Sequence, residues 1–204
     1  VPLAEEGHDV TVVDPSPDAL ASLRRRAEES GVSERVTAVQ GDADHLADAV
    51  GDSCVDLVCC HGILEVVDDP DVAVAAISRV LAPGGVVSVV AAQRLATVLA
   101  HALTGRFDQA RAALDAPDGR WGPGDPLARR FDRDELVEVL QAHDLAVTDA
   151  HGVRIVTDLV PSACVDSEAE RLELLALEDA MAAHPDAAVL GRLGAVVHVL
   201  ATRA

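Results

Sequence analysis

The chain has 204 residues, half of them apolar, and its aromatic residues are only two Phe and one Trp, with no Tyr. This length and composition allow one domain with a sizeable core, and they exclude a nucleic-acid-binding module built on base stacking by aromatic rings. The net charge of −19 gives no electrostatic attraction to phosphate backbones or anionic membranes. All 16 basic residues are Arg, which excludes chemistry that needs a lysine.

The first half of the chain alternates short apolar runs with helical segments. Val10–Val13 predicts a β-strand, and Ser16 followed by Pro17 predicts the start of a helix that ends at Gly31. Apolar strands separated by helices are typical of a parallel sheet buried on both faces, so the sequence predicts a doubly wound, mostly parallel α/β domain. Further strands are predicted at Val36–Val39, Val55–Cys60 and Val86–Ala92, and further helices after Gly41 and from Asp69 and Pro70 to Leu81.

The pattern changes after Gln93. A helix is predicted from Leu95 to Leu103, and a loop rich in Pro and Gly follows at Ala116–Arg130. Residues 93–131 are therefore predicted to be an insertion made of helix and loop. The remaining predicted elements are helices at Asp132–His143 and Glu168–Ala183 and strands at Leu145–Thr148, Val153–Thr157 and Ala195–Ala201.

The cysteines and the hydropathy pattern indicate the setting of the protein. Its four cysteines form no CxxC pair and no disulfide framework, which favours a reduced, cytoplasmic location. Two of them, Cys59 and Cys60, lie in an apolar run and are expected to be inert core thiols. No apolar run approaches the ~20 residues that span a bilayer, so no membrane contact is expected. The eight histidines show no spacing typical of metal ligands, so no metal is expected.

Polar side chains follow three predicted strands at the points where the strands end. Asp14 follows the first strand, Asp42 the second and His61 the third. In doubly wound sheets ligands bind beyond the carboxyl ends of the strands, and an acid placed there commonly accepts hydrogen bonds from ribose hydroxyls. Each residue also has a purely structural interpretation: Asp14 as a turn residue, Asp42 as a helix cap and His61 as a core histidine.

The order of these features resembles the class I S-adenosylmethionine-dependent methyltransferases. The resemblance rests on Asp14, on Gly41-Asp42-Ala43, on the Cys60–Pro70 segment (CHGILEVVDDP) and on Leu81–Gly85 (LAPGG) before a strand. It implies a Rossmann-like fold with an antiparallel C-terminal strand, and S-adenosylmethionine as the cofactor. The resemblance covers essentially the whole chain. Some segments are also similar to the subgroup of tRNA 5-carboxymethoxyuridine methyltransferases, among them Gly105–Asp108, Gly152–Arg154 and Val197–Ala201.

The resemblance also implies roles for individual residues. It places Asp14 on the ribose of the cofactor, and Asp42, Ala43 and Asp44 along its adenine. His61 would lie near the methionine part, next to the methyl group to be transferred. A carboxylate can accept hydrogen bonds from both ribose hydroxyls, which agrees with the first of these roles.

The acceptor would be a small molecule or a tRNA, and Arg154 is the candidate to bind it. An Arg side chain can hold a carboxylate through two parallel hydrogen bonds. The alternative is an exposed Arg154 paired with Asp158 or Asp149. Arg129 and Arg130, beside the loop of the insertion, are weaker candidates, and the insertion is expected to cover the acceptor site.

The sequence identifies no catalytic residue. Methyl transfer from a sulfonium is an in-line displacement, for which positioning can suffice. No convincing nucleophile is present. Glu65 could face the substrate, but the favoured interpretation is a solvated residue at the start of a helix.

Two features depart from the pattern of the family. A glycine-rich loop should precede the ribose acid by roughly 20 residues, and the residues before Asp14 contain no GxG. We therefore expect a single domain over residues 1–204 that is truncated at its N-terminus, lacks the strand between Val10–Val13 and Val55–Cys60, and binds S-adenosylmethionine poorly. The second departure is the acidic charge, which favours a small-molecule or carboxylate acceptor over tRNA.

Two other functions are compatible with parts of the sequence. A nucleotide-dependent oxidoreductase shares the acid that follows a strand, and a non-catalytic binding module could have lost the cofactor loop. A final strand antiparallel to its neighbours would favour the methyltransferase over the oxidoreductase.

Overall fold

The strands lie in two sheets in the computed structural model, which describes residues 1–204. One sheet has two strands in the order β1-β2, and the other has four in the order β3-β4-β6-β5. The strands are β1 (Val10–Asp14), β2 (Val36–Gln40), β3 (Val55–His61), β4 (Leu81–Ala92), β5 (Leu145–Val153) and β6 (Val196–Arg203). The helices are α1 (Pro2–Glu5), α2 (Pro17–Glu29), α3 (Leu46–Val50), α4 (Pro70–Val80), α5 (Arg94–Leu103), α6 (Phe107–Asp115), α7 (Arg133–Gln141), α8 (Glu168–Ala182) and α9 (Ala187–Leu190).

The pairing confirms the predicted fold class. Strand β1 runs parallel to β2, and β3 runs parallel to β4. Strand β6 is antiparallel to both β4 and β5, as predicted for the C-terminal strand. Because β5 is therefore parallel to β3 and β4, the carboxyl ends of these three strands lie at one edge of the larger sheet.

The two sheets are separated where the sequence predicts a missing strand. Strand β1 pairs only with β2, and β3 pairs only with β4, so the remaining edge of each has no partner within this chain. Side chains of β3 are correspondingly open to solvent: Leu57 is 43% exposed. Cys59 is exposed as well, so the prediction that it is a core thiol is wrong. Cys60 is buried as predicted, and this burial raises its thiol pKa to about 12.

The core lies on one face of the four-stranded sheet. Side chains alternate between the two faces of a strand, so every second residue of β4 and β6 points into it. Helices α4 and α7 cover this face with their apolar sides. The fully buried members include Val87, Val89, Ala91, Val197, Val199, Ala201, Val74, Leu136 and Leu140.

The helix starts follow the capping residues of the sequence. Ser16 accepts a hydrogen bond from the backbone N–H of Ala19 at 3.2 Å, and Asp69 accepts one from the N–H of Asp71 at 2.9 Å. Because such side chains satisfy N–H groups that have no partner in the first helical turn, they define where α2 and α4 begin.

Two predicted boundaries differ from the structure. The turn at Pro83–Gly85 lies inside β4 as a bulge, since Val55 pairs with Leu81 but Leu57 already pairs with Val86. A strand at Val153–Thr157 was predicted incorrectly, because β5 continues without interruption to Val153 and the chain then turns. None of the nine helices has the length and apolar composition needed to cross a bilayer.

Candidate functional site

The predicted ligand-binding residues lie at the carboxyl ends of the parallel strands. Asp14 is the last residue of β1, and the segment from Asp42 to Asp44 follows β2 directly. The backbone N–H of Gly41 donates to the carbonyl of Asp14, which joins these two groups at one end of the smaller sheet. His61 is the last residue of β3, at the carboxyl end of the larger sheet.

Asp14 is both a turn residue and a free acceptor. One carboxylate oxygen, Oδ1, accepts a hydrogen bond from the N–H of Ser16 at 2.8 Å, which is the structural role that the sequence left open. The other oxygen has no hydrogen bond within the protein, and the side chain is half-buried. The structure therefore leaves one carboxylate oxygen available to a ribose hydroxyl.

The segment after β2 contains a buried acceptor with no partner. Oδ1 of Asp44 is buried and accepts no hydrogen bond. A buried polar atom without a partner costs roughly 1–3 kcal/mol, so it needs an explanation such as a ligand. Asp42 makes no capping bond through its side chain, so the helix-cap interpretation is wrong, and Ala43 opens a short 3₁₀ turn beside it.

These residues fit the nucleoside half of S-adenosylmethionine. Asp14 would hold the ribose, and Asp44 would accept a hydrogen bond from the amino group of the adenine. Bound S-adenosylmethionine supplies a methyl group activated by the sulfonium to which it is attached. The described residues include no glycine-rich loop to cradle the remainder of the molecule.

His61 is exposed and hydrogen-bonded on one side. Its Nε2 lies 2.8 Å from Oγ of Ser88 on β4, and its Nδ1 makes no hydrogen bond to the protein. The interpretation of His61 as a buried core histidine is therefore wrong.

Arg154 lies directly after β5, at the same edge of the sheet as His61. Its backbone has φ of +56°, in the left-handed region that residues other than Gly rarely adopt. Its guanidinium is 3.3 Å from the carboxylate of Asp158, and the two side chains are 51% and 46% exposed. An ion pair this open to solvent contributes only about 0–1 kcal/mol, so the guanidinium can exchange this partner for a ligand at little cost.

The end of β5 is held in place by close backbone packing. A Cβ atom at Gly152 would lie 1.9 Å from the carbonyl oxygen of Gly191, so no other residue fits there without movement. The Gln93 side chain, which is 3% exposed, donates to the carbonyls of Gly191 and Gly194 at 2.9 and 2.8 Å. These contacts fix the segment that carries Arg154 against the start of β6.

Glu178 of α8 orders the chain that follows Arg154. Its carboxylate accepts hydrogen bonds from the backbone N–H groups of Ile155, Val156 and Thr157 at 2.8–2.9 Å, and from the Thr157 hydroxyl at 2.7 Å. Burial by itself would raise the pKa of Glu178, but these hydrogen bonds outweigh it and hold the pKa below its usual value.

We expect Glu178→Gln to raise the hydrogen-exchange rates of the Ile155 and Thr157 amides by roughly 10- to 100-fold, because bonds to a charged acceptor are replaced by bonds to a neutral one. In the wild type, the Glu178 carboxylate stabilises this segment fully at pH values above the pKa of Glu in the unfolded chain, about 4.3. This stabilisation is lost as the pH falls through the lower pKa that Glu178 has in the folded protein. Glu173→Gln on an exposed position of the same helix is the control and should leave these rates unchanged. Equal exchange in the two variants would show that Glu178 does not order this segment.

The two arginines predicted as weaker acceptor ligands have structural roles. Arg129 donates to the backbone carbonyls of Leu64 and Asp68, both at 3.0 Å. Arg130 is buried in a bidentate pair with Asp125 at 2.6 and 2.9 Å. Both guanidinium groups are occupied internally, so the suggestion that they bind the acceptor is not supported.

Glu65 is buried, so its prediction as a solvated residue is wrong. It is 4% exposed, and its Oε1 accepts a hydrogen bond from the N–H of Ala92 at 2.7 Å. The carboxylate thus satisfies a backbone donor at the end of β4. The sequence offered no signal for this contact because 27 residues separate its partners.

Sequence reasoning also missed the polar residues inside the strands. Ser88 and His198 lie on the face of the larger sheet opposite the core, and Gln93 lies just beyond β4. The available signal was a single polar residue, Ser88 or His198, within each of two otherwise apolar runs, which indicates a position on a sheet face that is not part of the core.

Comparison with known proteins agrees with this geometry. Residues 1–89 match the family model of a methyltransferase domain. The tRNA 5-carboxymethoxyuridine methyltransferases of Escherichia coli K12 and O157:H7 are 30% identical over 114 residues, which is 56% of this chain and 43% of each relative. The chain thus aligns with less than half the length of these curated relatives.

Solved structures share the fold at lower identity. An S-adenosylmethionine-dependent methyltransferase from Methanosarcina mazei has a TM-score of 0.63 at 16% identity, over 99% of this chain and 85% of that one. A 1,6-didemethyltoxoflavin-N1-methyltransferase from Burkholderia thailandensis, solved with S-adenosylhomocysteine, has a TM-score of 0.54 at 21% identity, over 98% of this chain and 63% of that one. The cyclase SpnF has a TM-score of 0.64 at 22% identity, over 99% of this chain and 68% of that one.

The family match, the curated relatives and the fold agree with one another. They support S-adenosylmethionine as the cofactor and confirm the resemblance seen in the sequence. This chain is similar to the S-adenosylmethionine-dependent methyltransferases: it has their Rossmann-like fold, and its first 89 residues match the model of a methyltransferase domain.

Proposed function

We propose that this chain carries the cofactor site and the acceptor site of an S-adenosylmethionine-dependent methyltransferase that acts in the cytoplasm. The observation that carries the proposal is the buried, unpartnered carboxylate oxygen of Asp44, in the segment that follows β2. The neighbouring strand β1 ends at Asp14, which has a free carboxylate oxygen. These two acceptors suit the amino group and the ribose hydroxyls of an adenosine. The antiparallel β6 favours the methyltransferase over a nucleotide-dependent oxidoreductase.

The residues around this edge would position the reacting groups. Asp14, with Asp42, Ala43 and Asp44, would bind the nucleoside, and His61 would stand next to the methyl group. Holding donor and acceptor in line is the main requirement of a displacement at carbon.

We propose a carboxylate as the acceptor, bound by Arg154. The free face of its guanidinium and its weak pair with Asp158 support this role. The name of the Escherichia coli relatives supports 5-carboxymethoxyuridine in tRNA as one such carboxylate. The net charge of −19 favours a small carboxylate molecule instead, since it opposes the approach of a polyanion.

We propose that residues 93–131 cover the acceptor. The segment leaves the sheet at the end of β4 and returns to the same point, because Gln93 and Phe131 form a parallel bridge. Helices α5 and α6 lie between these two residues. The insertion therefore begins and ends at the carboxyl edge that carries the candidate site.

The experiment measures transfer of a labelled methyl group from S-adenosylmethionine to bulk tRNA and to phenoxyacetate, a small carboxylate. We call the chain preceded by a parallel strand and a glycine-rich loop the extended chain, and both it and the 204-residue chain are assayed. Transfer to phenoxyacetate alone would contradict the tRNA acceptor. Tight cofactor binding without transfer to any acceptor would indicate a non-catalytic module.

We expect Arg154→Ala to raise the KM of the extended chain for phenoxyacetate by roughly 10- to 100-fold, because charge-assisted hydrogen bonds to a carboxylate are lost. Arg192→Ala is the matched control, since Arg192 is 52% exposed and pairs with Asp134 at 3.0 Å. An equal KM in the two variants would exclude Arg154 from acceptor binding.

A further inference from the structure

A row of hydrogen-bonded side chains crosses the larger sheet on the face opposite the core. It consists of His61 on β3, Ser88 on β4, His198 on β6, and His151 and Asp149 on β5, and we call it the polar row. Oγ of Ser88 lies 2.8 Å from Nε2 of His61 and 2.9 Å from Nε2 of His198. Nδ1 of His198 lies 3.4 Å from Nε2 of His151, and Nδ1 of His151 lies 3.2 Å from Oδ2 of Asp149. It joins the predicted methyl site on β3 to β5, the outermost strand on the other side of the sheet.

The strand pairing explains why these side chains meet. His198 pairs directly with His151 on one side and with Val90 on the other, and Val90 pairs with His61. Side chains of directly paired residues lie on the same face of a sheet. Ser88 lies two residues before Val90 and so faces the same way, between the two flanking imidazoles.

The carboxylate at one end sets the direction of every hydrogen bond. An ionised Asp149 only accepts, so His151 donates from Nδ1 and its Nε2 must accept from Nδ1 of His198. Nε2 of His198 then accepts from the Ser88 hydroxyl, whose oxygen accepts from Nε2 of His61. His61 is left with an unprotonated Nδ1, the nitrogen that makes no hydrogen bond to the protein.

The surroundings keep the middle of the polar row uncharged and its outer end solvated. Burial lowers the pKa of His198, the neighbouring His151 and His61 lower it further, and only Asp149 opposes them. His151 and Asp149 are 50% and 58% exposed, so a positive charge is best accommodated at that end. The side chains are strung across four strands, and no group of three of them is arranged to hold a metal ion.

We propose that the polar row makes His61 a general base, so that the site also methylates acceptors with a proton on the attacked atom, such as a phenolic hydroxyl. This inference rests on the proposed methyl transfer and adds a second acceptor class to it. A carboxylate is already deprotonated and needs no base. A phenol has a pKa of about 10 and does need one.

The proton step balances within the chain. The O–H bond of the acceptor breaks, Nδ1 of His61 takes the proton, and the oxygen keeps the electron pair with which it bonds the methyl carbon. The bond from that carbon to the sulfonium sulfur of the donor breaks at the same time, and the sulfur keeps its electron pair as a neutral thioether. His61 then passes its Nε2 proton to Ser88, Ser88 passes its own to His198, and His198 passes its Nδ1 proton to His151. The resulting imidazolium lies beside the Asp149 carboxylate, which stabilises it without being protonated, and solvent removes the proton there.

The polar row is tested first without any ligand, by ¹⁵N NMR of the histidine rings in the 204-residue chain. We expect His61 to carry its proton on Nε2, and we expect Ser88→Ala to lower the excess of this tautomer roughly fivefold, the equivalent of one hydrogen bond. Asp149→Asn should shift the tautomers of both His151 and His198. The control is Asp71→Asn, which removes the partner of His143 at 3.1 Å and should leave His61 unchanged. A His61 tautomer that is the same in Ser88→Ala and in the wild type would overturn the proposal.

The acceptor class is tested with the extended chain, using phenol and phenoxyacetate. We expect both to be methylated. In Asp149→Asn the ratio of the phenol rate to the phenoxyacetate rate should fall at least about tenfold, because only the phenol needs a general base. Transfer to phenoxyacetate but not to phenol would overturn the second acceptor class alone. Absence of transfer to both acceptors would instead overturn the proposed methyltransferase function.

Discussion

Calorimetric titration of S-adenosylmethionine into the 204-residue chain should give a Kd above about 1 mM, whereas the extended chain should bind at least 100-fold more tightly. The reason is that Asp14 and Asp44 can hold only the nucleoside. The rest of a nucleotide-like ligand is ordinarily held by backbone N–H groups of a glycine-rich loop at a helix N-terminus. A 100-fold difference corresponds to about 2.8 kcal/mol, which a few such hydrogen bonds can supply.

The same extension should raise the thermal stability. A strand inserted between β1 and β3 would pair with both, because each has one edge without a ladder partner in this chain. It would also cover Leu57, which is now 43% exposed. A rise in the unfolding temperature of several degrees is expected, measured by circular dichroism.

A matched variant separates the strand from the loop. An extension with valines in place of the loop glycines should keep the gain in stability and lose the gain in affinity, since side chains there block the approach of the backbone to the ligand. Micromolar binding by the 204-residue chain itself would refute the prediction. So would equal affinity of the glycine and valine extensions.

The second large effect is expected at the buried ion pair of the insertion. Arg130→Met should destabilise the protein by about 3–5 kcal/mol, because it leaves the Asp125 carboxylate buried without its charge partner. The Asp125 side chain is fully buried, and it also accepts from the N–H groups of Trp121 and Leu127 at 3.0 and 3.1 Å. The free energy of unfolding from urea titrations measures the effect.

Arg25→Met is the control for this prediction. Arg25 pairs with Glu29 at 2.9 Å, but the two side chains are 66% and 60% exposed. Such a pair contributes about 0.3–0.5 kcal/mol, so its loss should hardly change the stability. A similar loss in Arg25→Met and Arg130→Met would show that burial does not govern the strength of the inner pair.

Local patterns predicted the elements well where short-range rules apply. Ser16 and Asp69 marked the starts of two helices, because capping depends on residues only two or three positions apart. The antiparallel β6 was predicted through resemblance to a family and not from its own residues. Thr157 was placed in a strand because its neighbourhood is apolar and β-branched, yet the backbone there is turned toward Glu178 by hydrogen bonds over 21 residues.

The burial of polar residues was predicted less well. Glu65 and Arg130 are charged and follow loops, so exposure was the natural expectation. Each bonds to a group distant in sequence or across a loop, Glu65 through Oε1 to the N–H of Ala92 and Arg130 to the carboxylate of Asp125. Hydrophobic periodicity contains no information on such pairs.

The sequence by itself determined the order of strands and helices, the family resemblance, the acids at the ends of β1 and β2, and the interruption between β1 and β3. These depend on local periodicity, capping and motif order. Only the tertiary structure decided that Arg130 is internal, that Arg154 is accessible and that His61 belongs to the polar row. The polar row depends on which side chains strand pairing brings within 3.5 Å of one another, and register between distant strands is not encoded in any single segment. The states of the two arginines depend on how the loops that carry them fold, which hydrophobic periodicity does not indicate.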